Sequence, residues 1–195
     1  IDAILSVTPY YNKPSQEGLY KHYQAIADAS PVPIILYNVP SRTGVHLTAA
    51  SVIALSKHPN IIGIKEASGN LEQCLDIASH TSADFLLISG DDMLTVPMMA
   101  IGAVGVISTL ANAFPKHFYE MVTAVFKNDY VKARKYQADL LAINRLVVQA
   151  GNPVATKQIL EARGLCRHEV RLPLVPCSEE AKQKINEVTK GLSFS

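Results

Sequence analysis

Apolar residues along this chain gather into short unbroken runs separated by longer segments of helical periodicity. The runs Ala3 to Val7, Ile34 to Tyr37, Ile61 to Lys65, Phe85 to Ser89 and Val104 to Ile107 read as β-strands. Between them, Ser15 to Ala29 follows a Pro14-Ser15 start, Thr48 to Lys57 opens on a threonine cap, and Asn70 to Ser79 follows Gly69, so each is predicted helical. The alternation is that of parallel βα units. Because the strand runs are apolar throughout rather than alternating, burial of both sheet faces is expected. After Ala113 the strand pattern stops, and helices are predicted at Pro115 to Lys127, Tyr130 to Gln149, Pro153 to Ala162 and Ser178 to Lys190. The proline-rich link from Arg171 to Pro176 is expected to be extended.

This pattern specifies an α/β protein, a parallel sheet or barrel followed by an α-helical segment. We place the division between residues 128 and 129, with 1–128 forming the βα part and 129–195 the helical part. Five βα units are fewer than the eight of a complete (β/α)8 barrel of about 250 residues. The chain also opens inside a strand, at Ile1-Asp2-Ala3-Ile4. If the parent is a barrel, about three units are expected upstream.

Composition narrows the function classes. The 195 residues are 48% hydrophobic and 7% aromatic with a formal charge of +1, as in an ordinary globular domain without the clustered Lys/Arg of a nucleic-acid or membrane-surface protein. The mixed charges from Lys127 to Arg134 read as a solvated helix face, with an anion site as the sharper alternative. Cys74, Cys166 and Cys177 form no C-x-x-C pair, and an odd count without a signal-like start predicts reduced thiols and a cytoplasmic location. The longest apolar stretch, Thr95 to Ile107, contains Pro97, Gly102 and Gly105 and falls short of the about 20 residues of a membrane span. Neither H-E-x-x-H spacing nor a Walker or G-x-G-x-x-G loop is present, so no nucleotide cofactor is expected.

The residue with the most chemical content is Lys65, a lone cation ending the run Ile61-Ile62-Gly63-Ile64. A lysine becomes a nucleophile when an apolar surrounding favours its neutral amine, and the C-terminal end of a buried parallel strand provides one. The alternative is a lysine that leaves the sheet and extends into solvent. The other strand ends carry Thr8 to Asn12, Tyr37 to Gly44, Ser89 to Asp92 and Ile107-Ser108, where the βα loops of a barrel converge. Asp91 and Asp92 could suggest a metal, but adjacent carboxylates with no nearby histidine or third spaced acid read as a helix N-terminal pair, and no catalytic metal is expected.

The stretches Val7 to Gly18, Leu36 to Gly44 and Gly63 to Asn70, in this order and at these intervals, resemble the pyruvate-dependent class I aldolase/N-acetylneuraminate lyase family, and within it the dihydrodipicolinate synthase branch. The resemblance runs through essentially the whole chain. It implies strands 4 to 8 of a (β/α)8 TIM barrel with their helices, followed by C-terminal helices. It further implies that Lys65 forms an imine with pyruvate, whose enamine attacks aspartate semialdehyde in lysine and diaminopimelate synthesis. Tyr37 matches the family's proton-shuttling tyrosine, a role its phenol permits, and Arg42 the arginine that meets the semialdehyde carboxylate, which a guanidinium fork suits. Tyr11 matches a tyrosine that crosses a dimer interface, and Tyr10 a residue lining the lysine effector pocket of regulated members. Gly90 and Ile107 match positions whose backbone lines the pyruvate pocket. No cofactor beyond the covalent pyruvate is implied, and the assembly is expected to be a homodimer or homotetramer.

The family's Gly-Thr-Thr-Gly-Glu segment, with its threonine of the proton relay, has no counterpart here. The chain alone is therefore expected to form the imine weakly and not to turn over at a native rate, because relay members act as a unit. The missing half would associate in trans or lie outside the sequence given. Two other readings stay open: a sibling lyase acting on a sugar or keto-acid aldehyde, and a non-catalytic fragment. Ser41-Arg42-Thr43-Gly44 favours the synthase branch, since the resemblance implies that the sialic acid lyases typically carry no arginine at the position of Arg42.

Overall fold

The structure, a computed structural model, describes residues 1–192. The chain divides into two compact units, Ile1–Ile107 and Ser108–Ser195. This boundary lies upstream of the 128/129 division read from the sequence, and residues 193–195 of the predicted helical segment lie outside the described residues.

The first unit is a parallel sheet of β1 (Ile4–Val7), β2 (Ile34–Asn38), β3 (Ile61–Glu66) and β4 (Leu86–Ser89), hydrogen-bonded in sequence order. Helices α1 (Gln16–Ala29), α3 (Ala49–Leu55) and α4 (Leu71–His80) connect successive strands, and a one-turn helix α2 (Pro40–Thr43) sits at the exit of β2. Each long connecting helix starts where a side chain supplies the first acceptor. Ser15 Oγ takes the Gly18 N–H at 3.2 Å, Thr48 Oγ1 the Ser51 N–H at 3.4 Å, and Asn70 Oδ1 the Gln73 N–H at 3.0 Å. The helices bury one side of the sheet through Leu19, Tyr23, Val52, Leu55 and Ile77, against Ile34, Leu36, Ile64 and Leu87 of the strands. Each such side chain contributes about 1.5–3 kcal/mol by leaving water. Tyr23 keeps its hydroxyl satisfied by donating to the Ser6 carbonyl at 3.1 Å.

Two expectations are corrected in this unit. The opposite face of the sheet, which carries Leu5, Val7, Ile35, Tyr37, Lys65 and Ile88, is only partly covered; Leu5 is 43% and Val7 40% exposed. Burial in β2 and β4 therefore alternates even though their sequences do not. The fifth run, Val104 to Ile107, is not a strand. It follows β4 through hydrogen bonds to Leu87 and Ser89 but forms one isolated bridge, Ser89 to Val106, because Gly105 at φ 155° interrupts the pleat. The stretch before it contains helix α5 (Thr95–Ala100), which the apolar pattern did not announce.

The pairing of β2 with β3 contains an irregularity that matters for the site. Ile34 pairs with Ile61, but Ile35 pairs with Gly63, leaving Ile62 extra. Downstream, Leu36 pairs with Ile64, Tyr37 with Lys65 and Asn38 with Glu66. One additional residue in a strand reverses the facing of everything after it. Lys65 thus shares a face with Tyr37, and Glu66 shares the opposite, helix-covered face with Asn38.

The second unit is helical: a 3-10 turn at Leu110–Asn112, then α6 (Pro115–Phe126), α7 (Tyr130–Asp139), α8 (Leu141–Ala150), α9 (Val154–Ala162) and α10 (Glu179–Gly191). Pro115 opens α6 at a position where no amide hydrogen is needed, while Asp129 and Ser178 cap α7 and α10. The single helix expected over Tyr130 to Gln149 is broken at Leu140. Neither proline nor glycine marks the break. The cause is packing: α7 lies on α6, whereas α8 lies on α9 and α10, and the fully buried Leu140 occupies the corner. Within the link after α9, Arg171 and Leu174 close a turn, so it is not extended throughout. Among the described residues no helix is long and apolar enough to cross a membrane.

Candidate active site

The candidate site lies at the C-terminal ends of the strands, where parallel α/β sheets present their loops. Lys65 and Tyr37 are register partners, and the Lys65 Nζ sits 4.2 Å from the centroid of the Tyr37 ring. Burial pushes the Lys65 ammonium below its ordinary pKa, Asp92 opposes this as a nearby negative charge, and Arg42 reinforces it as a positive one. Burial raises the Tyr37 phenol, and Arg42 partly offsets that rise. Lys65, Tyr37, Arg42 and Asp92 therefore form one electrostatic group. Its net effect is a lysine closer to the neutral, nucleophilic amine than a solvated one, beside a phenol that keeps its proton at neutral pH.

Arg42 is delivered by α2. Arg42 and Thr43 donate their amides to the Val39 carbonyl at 2.9 and 3.1 Å, and Gly44 donates to Pro40 at 2.9 Å. The Thr43 hydroxyl ties this turn down: it lies 2.9 Å from the Val45 carbonyl, accepts from the Val45 amide at 3.1 Å, and accepts from the buried Thr8 hydroxyl of the β1 exit at 3.3 Å. Arg42 itself is exposed.

Gly90 follows β4 and donates its amide to the Glu66 carbonyl at 2.8 Å. A methyl group on Gly90 would stand 2.7 Å from the Ala67 Cβ and 3.1 Å from both the Glu66 carbonyl and the Lys65 Cε. Only a residue without a Cβ leaves room for Lys65 in its observed course. Ile107 is exposed and donates its amide to the Ser89 carbonyl at 2.9 Å, which holds it at the same end of the sheet.

Tyr10 and Tyr11 lie in the loop after β1, 70% and 86% exposed, with Tyr11 at φ 67°. Among the described residues neither forms a hydrogen bond or ring contact with Lys65 or Tyr37. Asp91 and Asp92 precede α5: the Asp91 carboxylate accepts the Met93 and Leu94 amides at 2.8 and 3.2 Å, and Asp92 is buried and charge-coupled to Lys65. No group of three or more His, Cys, Asp or Glu side chains among the described residues is placed to hold a metal ion.

Behind the lysine lies a polar cluster that the sequence reading did not single out. Glu66 is 1% exposed; its Oε1 accepts the Ser68 amide at 2.6 Å, and its Oε2 accepts Asn38 Nδ2 at 2.9 Å and Gln73 Nε2 at 3.0 Å. Asn38 and Gln73 direct their remaining amide hydrogens to the Leu47 carbonyl, at 3.2 Å each, and Asn38 Oδ1 accepts the Leu47 amide at 3.0 Å. Gln73 Oε1 then faces His46 Nε2 at 2.9 Å, which assigns a hydrogen to that nitrogen. The available signal was Asn38 and Glu66 following Tyr37 and Lys65 by one residue on neighbouring strands.

Comparison with known proteins decides the relationship. Residues 1–192 match the Dihydrodipicolinate synthetase family. The chain belongs to that family. It is 51% identical over 187 residues to the 4-hydroxy-tetrahydrodipicolinate synthase of Cytophaga hutchinsonii, covering 96% of this chain and 63% of the relative. To the enzyme of the same name from Parabacteroides distasonis it is 49% identical over 195 residues, covering 100% and 66%. The crystal structure of DHDPS from Cyanidioschyzon merolae with lysine bound superposes with a TM-score of 0.94 at 38% identity, over 98% of this chain and 66% of that one. This family chain thus spans just under two thirds of the length of the curated relatives it matches. Its four-stranded parallel sheet and following helices correspond to a partial (β/α)8 barrel and its C-terminal helices.

Proposed function

We propose that the protein is a Schiff-base lyase that condenses pyruvate with aspartate semialdehyde to 4-hydroxy-tetrahydrodipicolinate, a step of lysine and diaminopimelate synthesis. The observation that carries this reading is Lys65 held 4.2 Å over Tyr37 with its ammonium destabilised by burial, in a chain whose relatives bear that enzyme's name. The neutral Lys65 amine adds to the pyruvate ketone and water leaves, giving an iminium. Loss of a methyl proton gives the enamine, whose carbon attacks the aldehyde; the substrate amine then displaces Lys65 as the ring closes.

Tyr37 is the group within reach to carry protons to and from the adduct, since its phenol both donates and accepts. Arg42 pairs with the semialdehyde carboxylate. That fork favours an acid aldehyde over the sugar aldehydes of sibling lyases. Gly90 and Ile107 offer backbone to the pyruvate end. Tyr11 and Tyr10, exposed beyond β1, serve a second copy of the chain, Tyr11 in its proton relay and Tyr10 at an effector site, for which the lysine bound to the Cyanidioschyzon merolae relative provides the ligand chemistry. The working assembly is a homodimer or homotetramer in the cytoplasm, and no cofactor beyond the covalent pyruvate takes part.

The test is intact mass after incubation with pyruvate and borohydride, which reduces an imine to a stable amine. One reduced pyruvyl group on the protein and none on Lys65→Ala is the expected result. Folded protein without an adduct would remove Lys65 as the nucleophile and leave a non-catalytic role.

A further inference from the structure

A buried carboxylate is costly unless donors meet its oxygens, and Glu66 is among the most deeply buried acids of the chain. Its three partners come from three separate stretches of chain, and two of them lead to a fourth. Asn38 ends β2, Ser68 follows β3, Gln73 belongs to α4, and both amides reach on to Leu47 in the connection between α2 and α3. The backbone repeats the connection, with the Ala67 amide donating to the Asn38 carbonyl at 2.9 Å and the Gly90 amide to the Glu66 carbonyl at 2.8 Å. All of this is one residue away from Lys65 and on the opposite side of the sheet.

Resting on the reading of Lys65 as the imine-forming residue, we infer that Glu66 is a positioning residue: its carboxylate ties the ends of β2 and β3 to α4 so that Lys65 stays over Tyr37. It touches no substrate. The cluster is matched to a carboxylate by its count of donors and acceptors. Both oxygens receive hydrogens, so an amide of equal size would turn an N–H2 toward either the Ser68 amide or the Asn38 and Gln73 amides. The shift of Lys65 is set by burial first and then by Asp92 and Arg42, groups that Glu66→Gln leaves in place. Loss of the Glu66 carboxylate should therefore misplace the amine without changing the pH at which it becomes reactive.

The experiment measures the rate of borohydride-trapped pyruvyl adduct against pH and pyruvate concentration, expressed per folded molecule from circular dichroism and thermal unfolding. It compares wild type, Glu66→Gln and Gln73→Met, the last removing one donor while keeping side-chain size. Glu66→Gln is expected to slow trapping at saturating pyruvate roughly 10–100-fold with the midpoint of the pH profile unmoved, because small misplacements cost that much. Gln73→Met should fall between it and wild type. Wild-type rates per folded molecule in the variants, whatever their melting temperature, would reduce the cluster to a stabilising role and overturn the inference. A shifted pH midpoint would overturn it too, in favour of electrostatics. If Glu66→Gln does not fold, Gln73→Met decides by the same criteria. Absence of an adduct in the wild type would instead strike the Lys65 reading, and this inference with it.

Discussion

At the same level of the sheet, two neighbouring residue pairs face opposite ways and live by different rules. Asn38 and Glu66 point under the helices, where every polar hydrogen and both carboxylate oxygens are engaged. Tyr37 and Lys65, one residue earlier in each strand, point to the partly covered face, where burial destabilises the lysine charge and, among the described residues, no fixed hydrogen bond consumes the amine. The difference teaches that rigidity and reactivity can be assigned to adjacent residues by strand alternation alone: the satisfied pair holds the frame, and the less satisfied pair is left available for chemistry.

That contrast can be broken from the reactive side first. Tyr37→Phe keeps the ring beneath the lysine but removes the hydroxyl proposed to carry protons. Turnover of pyruvate with aspartate semialdehyde by the protein is expected to fall about 100-fold while the borohydride-trapped adduct persists, and loss of the adduct as well would show that the hydroxyl is needed for imine formation itself. Next in size is Gly90→Ala, which sets a methyl against Ala67, the Glu66 carbonyl and the Lys65 Cε at once. A loss of about 1–3 kcal/mol in denaturant unfolding is expected, accompanied by slower adduct formation, since the overpacked site must shift the lysine. The smallest effect belongs to Asp92→Asn. Asp92 holds the Lys65 ammonium up, so its removal lets the lysine pKa fall further and the amine is neutral at lower pH; the pH profile of trapping moves to the acid side. A profile that moves to higher pH would contradict this sign.

Much of the frame was legible in the sequence because it is written locally. Thr48 caps its helix as expected, Ser15 and Asn70, read as the first helical residues, prove to be the caps one place before the helix begins, and four of the five strand runs stand within one residue of the read boundaries. Lys65, Tyr37 and Arg42 were identified through motifs, and the fold brings them into one electrostatic group. What stayed hidden depends on distant partners. The break at Leu140 reflects which helices α7 and α8 lie against, and their apolar stripe passes through it without a sign. The alternating burial of β2 and β4 was invisible because both faces are written in the same apolar letters. Glu66 stood in plain view beside Lys65, yet its four-segment cluster exists only once Asn38, Leu47 and Gln73 have been folded toward it.

Side chains on a strand have only two addresses, and the extra Ile62 decides which one each of the two ionisable neighbours receives. Were Ile62 instead paired with Ile35 in an unbroken ladder, Lys65 would stand opposite Asn38, sending the amine among the amides of Asn38 and Gln73 and the carboxylate toward the open face. Gly63 guards against that slip: a Cβ in its place would stand 2.5 Å from the Leu86 carbonyl of β4, so a neighbouring isoleucine cannot take its position. Chemistry at this site is thus a question of where the surplus residue is absorbed: loss of Ile62 itself leaves Lys65 opposite Tyr37, whereas an extra residue taken up without a bulge inverts the pair.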